Sequence, residues 1–346
     1  DYTLMTGIRA YIEDHCEWEQ VQSVLLNHWK KDVNNSHVLL MDATCYESYI
    51  RFPTDVKLLW ECCEWVFEKQ LFRLCKILKT KRPRSKYREQ KIKQLVYFRK
   101  RRNTHKETLR RRKSLVYLLE KGIEQLQQIM DMFRGECMRP EDFACLRTIK
   151  KILVQQTFLL THKPSELKDR IVSLHKPYVR PIVRGKENKP VEFGMKVHML
   201  QVDGLSFIDK MSFRNFNECK RLKISVVKHK TIFKGTTQLG ADRIYATNEN
   251  RRYCTENSIF TCFPKKGPKN HSKAEKILSS EISKQRATVT EGIFGTHKNH
   301  YGLRKIKVRG EKREKLMVLF ATMAANAVKI AKKRNRVEPA PKEKAA

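Results

Sequence analysis

The chain alternates between short, uninterrupted apolar runs and long stretches in which apolar residues recur every three or four positions. In residues 1–36, Trp18, Val21, Val24, Leu25 and Trp29 fall near a 3.6-residue period and predict helix. At His37 the pattern changes. Val38, Leu39, Leu40 and Met41 form a continuous apolar run, as expected for a buried strand, with Asp42 at its far end. Pro53-Thr54-Asp55 then opens a helix, because Thr54 can accept from a free N–H of the first turn and Asp55 suits its positive end. That helix extends to about Lys79, and two more are expected over 114–133 and 141–162, separated by a turn around Gly135 and Pro140. Residues 51–175 therefore read as all-helical, a sharp break from the strand before them.

Between 177 and 190 the pattern is irregular, with Pro177, Pro181, Gly185 and Pro190 interrupting it. Residues 191–213 then read as two strands joined at Asp203-Gly204, a dipeptide suited to the positive φ angles of a tight hairpin. A helix is expected over roughly 215–230, and SIFTCF (258–263) reads as a short strand. After a lysine-rich loop at 265–275, helices are expected over 272–300 and 311–333, and the polar tail after Arg334 reads as disordered.

Charge changes the picture most. Among 346 residues, 73 Lys and Arg face 37 Asp and Glu, a formal net charge of +36, which makes nucleic acid the leading partner. The excess is concentrated: residues 76–113 hold 18 Lys and Arg against Glu89 and Glu107, a net +16. With Tyr87, Tyr97 and Phe98 interleaved, this segment reads as a nucleic-acid clamp rather than a merely solvated surface. The ten cysteines lack paired C-x2-C spacing and read as reduced, in keeping with a cytoplasmic setting. No apolar run is long enough to span a bilayer; the best, Leu316 to Val328, is short and contains Asn326.

Three acidic residues stand out as candidate chemistry. Asp42 ends an apolar strand, Asp242 precedes a helix that starts near Thr247 or Asn248, and Glu291 lies on a predicted helix seven residues before Lys298. Carboxylates held by strand ends and a packed helix suit Mg2+, which prefers oxygen ligands. Each acid also has a structural alternative: a strand-terminal turn for Asp42, a cap for Asp242, a solvated charge for Glu291. Asp203 and Asp209 compete with Asp242 for the second position, although Asp203 is better explained by its hairpin turn, and spacing alone does not settle the choice.

Four strings go further: HVLLMDATCYESYIRFPTDVKLLWE, PIVRGKENKPVEFGMKVHMLQVDG, GADRIYATNENRRYC and RATVTEGIFGTHKNHYGLRKIKVR. In this order, across residues 37–333, they resemble consecutive landmarks of bacterial insertion-sequence DDE transposases, in the branch with a long helical insertion after the first catalytic strand. The resemblance implies an α/β fold: a ribonuclease H-like mixed sheet flanked by helices and interrupted by a large all-helical insertion. It implies a catalytic domain of 37–50 plus 176–333, a basic helical insertion at 51–175, a truncated helical region at 1–36 and a tail at 334–346. Asp42, Asp242 and Glu291 match the catalytic acids, which would hold two Mg2+ ions, with Mn2+ able to substitute. Lys298 matches a lysine that contacts phosphate at the transposon end. The motif departs from the family in one respect: relatives carry an arginine four positions before the glutamate and a tyrosine at the position of Ser283, whereas Arg286 lies five before Glu291.

The implied activity is metal-dependent cleavage at insertion-sequence ends and strand transfer into target DNA. Double-stranded DNA is the partner and a homodimer assembles on it, near the bacterial nucleoid and away from membranes. Arg180 and Arg184, with Lys186 and Lys189, form one further phosphate-contact candidate, and Arg251 and Arg252 another; Arg286 joins them. Two alternatives stand beside this reading, a related metal-dependent nuclease and a catalytically inactive DNA-binding remnant of a mobile element.

Overall fold

The computed structural model describes residues 2–133, 138–184, 190–233, 235–264 and 272–337. In chain order the elements are α1 (Tyr2–His15), α2 (Trp18–Trp29), β1 (Val38–Ser48), α3 (Asp55–Glu64), α4 (Phe72–Ile77), α5 (Tyr87–Arg99), α6 (His105–Met132) and α7 (Pro140–Phe158). There follow β2 (Arg180–Val183), β3 (Val191–Val202), β4 (Leu205–Ser212), α8 (Leu222–Ile232), β5 (Gln238–Gly240), α9 (Asn248–Glu256) and β6 (Phe260–Thr261). The last are α10 (Lys273–Gln285), α11 (Glu291–His300), β7 (Lys305–Ile306) and α12 (Glu311–Val337). They divide into two compact units, residues 1–49 with 181–346, and residues 50–180.

The first unit is α/β, a mixed sheet flanked by helices. Its strand order is β2-β3-β1-β5-β6, with β4 also paired to β3 and β7 to β1. β1 runs antiparallel to β3, from Leu40 opposite Gln201 to Glu47 opposite Gly194, and parallel to β5, from Val38 opposite Gln238 to Leu40 opposite Gly240. The β3–β4 hairpin turns at Asp203 and Gly204, both at positive φ, as the Asp-Gly dipeptide predicts. Two side-chain amides satisfy the backbone of β4, which would otherwise be an open edge. Gln22 bonds both ways with Ile208 (2.9 and 2.7 Å) and Asn326 with Ser206 (2.9 and 2.7 Å). Residues 1–36 thus pack within the sheet unit, through α2 and α12.

Among the described residues the second unit is helical in its regular elements, apart from Arg180 at its end, where β2 begins. Thr54 caps α3 by accepting from the Lys57 N–H, and α3 continues through a π-helical segment, Trp65–Leu71, into α4. Leu59, Phe67, Leu71, Leu74, Leu115, Leu119, Leu126 and Ile149 are fully buried in one core. Tyr87 stacks on Phe67 at 4.7 Å and on Trp60 at 5.6 Å between ring centroids. Gly122 is needed where α6 crosses Phe67, since a Cβ there would lie 2.6 Å from the ring.

Several expectations shift. The first strand does not end at Asp42 but runs six residues further to Ser48, because Ala43, Cys45 and Tyr46 are also buried. The buried stripe of α2 is Gln22, Leu26 and Trp29, with Val24 exposed, since the helix turns its polar amide to the strand edge. α6 begins nine residues before the expected 114, started by the Thr104–Glu107 capping box, and α8 begins only at Leu222. β2, β5 and β7 are too short to carry an apolar alternation of their own. α12 continues past Arg334 to Val337. The turn at Gly135, most of the lysine-rich loop, Lys186, Lys189 and the tail after 337 lie outside the described residues.

Candidate active site at the end of the parallel strands

β5 pairs with β1 only as far as Leu40 opposite Gly240, and two residues beyond that last pair stand Asp42 and Asp242. The sheet register thus aligns two aspartates that are two hundred positions apart in sequence. Gly240 permits the approach: a Cβ at that position would lie 2.6 Å from Leu40 Cδ2 and 2.8 Å from Ile282 Cγ2. Ile282 of α10 packs there with Val38 and Leu40, which seats the C-terminal half of α10 over the strand ends.

Asp42 is mostly buried. Its Oδ1 accepts the Ala43 N–H at 2.7 Å, and its Oδ2 lies 4.0 Å from Arg286 Nη1. Burial pushes its carboxyl up to about 6. The Ala43 N–H opposes that rise, the Glu218 charge adds to it, Arg286 opposes it, and Asp242 adds to it. Asp242 is exposed and caps the turn Arg243–Tyr245 by accepting the Arg243 N–H at 2.6 Å. Thr247 then caps α9 by accepting from Asn250 N–H, which fixes the helix start where the sequence expects it.

The third acid is placed differently. α10 runs through a π-helical segment, Arg286–Thr290, into α11, so one continuous helix covers 273–300. It is fastened to the sheet by Ile282 at Gly240, by Thr290 Oγ1 donating to Gln201 Oε1 (3.2 Å), and by His297 Nδ1, 2.8 Å from the Tyr46 hydroxyl. Arg286 on this helix reaches Asp42, while Glu291 is exposed. The π segment bears on the extra residue between them. A five-residue step in an α-helix overshoots a full turn by about 140°; the wider π turn reduces that offset, yet Arg286 reaches Asp42 while Glu291 stays exposed.

Carboxylate oxygens are the donors a hard divalent cation takes, and Mg2+ commonly binds through one or two carboxylates, with waters and substrate phosphates completing its shell. Asp42 and Asp242 fit that description, and their mutual repulsion is what a cation would relieve. Among the described residues no group of three or more His, Cys, Asp or Glu side chains is placed to hold a metal, so Glu291 does not join the two aspartates in such a set.

The basic candidates separate. Arg184 donates to Ala43 O (3.4 Å) and pairs with Glu192 (3.4 Å); Lys298 lies 6.0 Å from the Tyr46 ring centroid; both act electrostatically on Cys45. Together with Arg286 these line β1. Arg251 instead donates to Ala246 O and Pro264 O and covers Phe263, so it staples the turn after Asp242 to the segment after β6. Arg252 is exposed on α9. Arg180 falls in the helical unit, where it donates to Val179 O (3.0 Å) and lies 3.9 Å from Asp169.

Sequence reasoning missed two features here. Glu218, whose charge acts on Asp42, pairs with the buried Lys196 at 2.7 Å. Behind Asp242, the buried Tyr245 hydroxyl lies 2.9 Å from His198 Nε2, and His198 Nδ1 lies 3.0 Å from Asp209 Oδ2. Arg221 donates two hydrogen bonds to Asp209 (2.9 and 3.0 Å), and the Ser225 hydroxyl donates a third to Asp209 Oδ2 (3.2 Å). Burial raises the Asp209 carboxyl, but these partners outweigh it and hold the group well below the usual range. A carboxylate so fully bonded has no oxygen to spare for a cation, which removes Asp209 as a rival to Asp242. Asp203 is likewise engaged, by Lys333 and the Asn34 N–H. The available signal was Lys196 and His198 interrupting the apolar run of β3 at inward positions.

No family model, curated protein or solved structure matches this chain.

Proposed function

We propose that the chain is a DDE-type DNA transposase, cutting DNA at insertion-sequence ends and joining the freed end to target DNA. One observation supports this above others: Asp42 and Asp242 each lie two residues beyond the last β1–β5 pair, near enough for the Asp242 charge to act on Asp42, whose carboxyl has a raised pKa and faces an arginine. The mixed sheet flanked by helices is compatible with the ribonuclease H-like arrangement that the resemblance implies, and the net charge of +36 suits a DNA substrate.

In this reading Asp42 and Asp242 hold Mg2+ or Mn2+. The metal, when bound, supplies a nucleophilic oxygen at neutral pH and stabilises the departing one. Arg286 offsets the carboxylate charge at Asp42 and is free to turn toward a phosphate. Arg184 and Lys298 flank the same strand and bind the DNA backbone; Arg252 does so beside Asp242. The Tyr245–His198–Asp209 chain keeps the turn bearing Asp242 from moving. The resemblance adds Glu291 as a third acid, although it lies apart from the two aspartates here, and a homodimer engages the two ends.

The exposure of Glu291 favours a second reading, a DNA-binding remnant without catalysis. Labelled duplex carrying the sequences that flank the coding region, intact or precut, separates the two when incubated with Mg2+ or Mn2+. Strand transfer lost in Asp42→Asn, Asp242→Asn and Glu291→Gln supports the full triad. Loss in the aspartate variants alone removes Glu291 from it. Hydrolysis without joining indicates a nuclease, and tight binding without any product indicates the remnant.

A further inference from the structure

The helical unit contains a groove of 340 Å³ between α5 and α6, and its floor carries an unusual charge. Arg111 is 7% exposed, yet among the described residues no carboxylate pairs with it. Its guanidinium donates to Gln94 Oε1 (2.7 Å), to Gln90 Oε1 and to Gln90 O (2.8 Å), all neutral acceptors one turn apart on α5. A buried cation without a counter-charge is costly, and neutral amides offset only part of that cost. Gln94 Nε2, also buried, has no acceptor.

The rim does not supply the missing anion. Its two lysines are already matched, Lys93 with Glu89 and Lys100 with Glu107. Arg110, exposed beside Arg111, has no acidic partner among the described residues. Two adjacent guanidiniums, one buried and one exposed, are therefore left uncompensated in one groove. Guanidinium N–H groups match phosphate oxygens in geometry.

We infer that this groove is a docking site for the phosphodiester backbone of duplex DNA, with Arg111 and Arg110 as the phosphate-binding pair. The inference rests on the reading of DNA as the substrate but needs none of the carboxylates. Of the many cations between 76 and 113, it assigns a specific role to these two.

The test is fluorescence anisotropy of the full chain with a labelled 20-bp duplex of arbitrary sequence, in EDTA, across a KCl series. Each phosphate that the protein no longer neutralises lowers the slope of log affinity against log salt by about 0.9. Arg110→Gln is expected to lower it by about one, and Arg110→Gln/Arg111→Gln by about two, with the same melting temperature for the single variant. Should Arg111→Gln disturb folding, Arg110→Gln, at an exposed position, decides alone. An unchanged slope in Arg110→Gln overturns the inference. So does loss of binding to phosphatidylglycerol vesicles, or of protection by inorganic phosphate, with the DNA slope intact. A chain that cleaves DNA while Arg110→Gln keeps the full slope loses only this inference; one with the altered slope and no cleavage loses only the enzyme reading.

Discussion

The two units bury different things. The helical unit fills its interior with Leu, Ile, Phe and Cys and turns nearly all its charge outward, so its stability comes from apolar packing. The sheet unit buries Lys196, His198, Asp209, His229, His297 and Glu314 beneath or beside its strands, most of them tied into hydrogen-bonded pairs. Such networks hold geometry well but tolerate little loss, because each unpaired buried group costs its full desolvation. The region with the candidate chemistry is therefore the one that threads more hydrogen-bonded charged and imidazole groups through its apolar core. The other is a robust apolar bundle that carries cations on its surface.

The largest expected effect breaks the comparison at its functional end. Asp42→Asn should lower metal-dependent strand transfer by at least about a thousandfold, while duplex binding in EDTA stays as it was. The same variant should be more stable at pH 7. A carboxyl with its pKa raised to about 6 in the folded state destabilises the fold when ionised. That penalty is absent below pH 4, grows between 4 and 6, and is constant above. Thermal melting of the variant against the parent at pH 4 and pH 7 reads it directly; equal shifts at both would contradict the assignment.

In the helical unit, Leu119→Ala should cost about 3–5 kcal/mol, by cavity formation in a fully buried site. Urea unfolding followed by Trp60 and Trp65 fluorescence measures it, and metal titration of the sheet unit should be indifferent to it.

Acid should act on the sheet unit in the opposite sense to Asp42. Burial lowers His229 and His297 to about 4 from an ordinary 6.5, so both stay neutral in the fold. Their stabilising contribution is complete above pH 6.5 and is lost as pH falls toward 4. With two extra protons taken up on unfolding, the slope reaches roughly 2–3 kcal/mol per pH unit at most. His229→Gln with His297→Gln should flatten the denaturation midpoint over that range; an unchanged profile would place the sensitivity elsewhere.

The smallest effect sharpens the role of the relay. Tyr245→Phe removes one buried hydrogen bond and should cost about 1–2 kcal/mol. If the hydroxyl positions the Asp242 turn, the variant should also need more Mg2+ for half-maximal activity. A stability loss with no change in metal dependence would make Tyr245 structural only.

Local signals carried much of this structure. The apolar run before Asp42, the Asp-Gly hairpin and the Thr54 cap each act through contacts within a few residues, so sequence by itself determined the first strand's start, the β3–β4 turn and the onset of α3. The helical character of α3, α7 and most of α6 was equally legible from apolar residues at helical spacing, whereas α5, in the basic stretch, carries no such period. Only the tertiary structure decided that Asp42 and Asp242 come to the same end of neighbouring strands. Their alignment depends on a three-residue strand with too little pattern to read and on a glycine admitting Ile282. It also decided that Glu291 is exposed, that Asp209 is fully engaged by Arg221 and His198, and that Arg111 alone among the clustered cations is buried without a counter-charge. Those outcomes turn on which distant side chain fills a given space, and pairings of that kind leave no period along the chain.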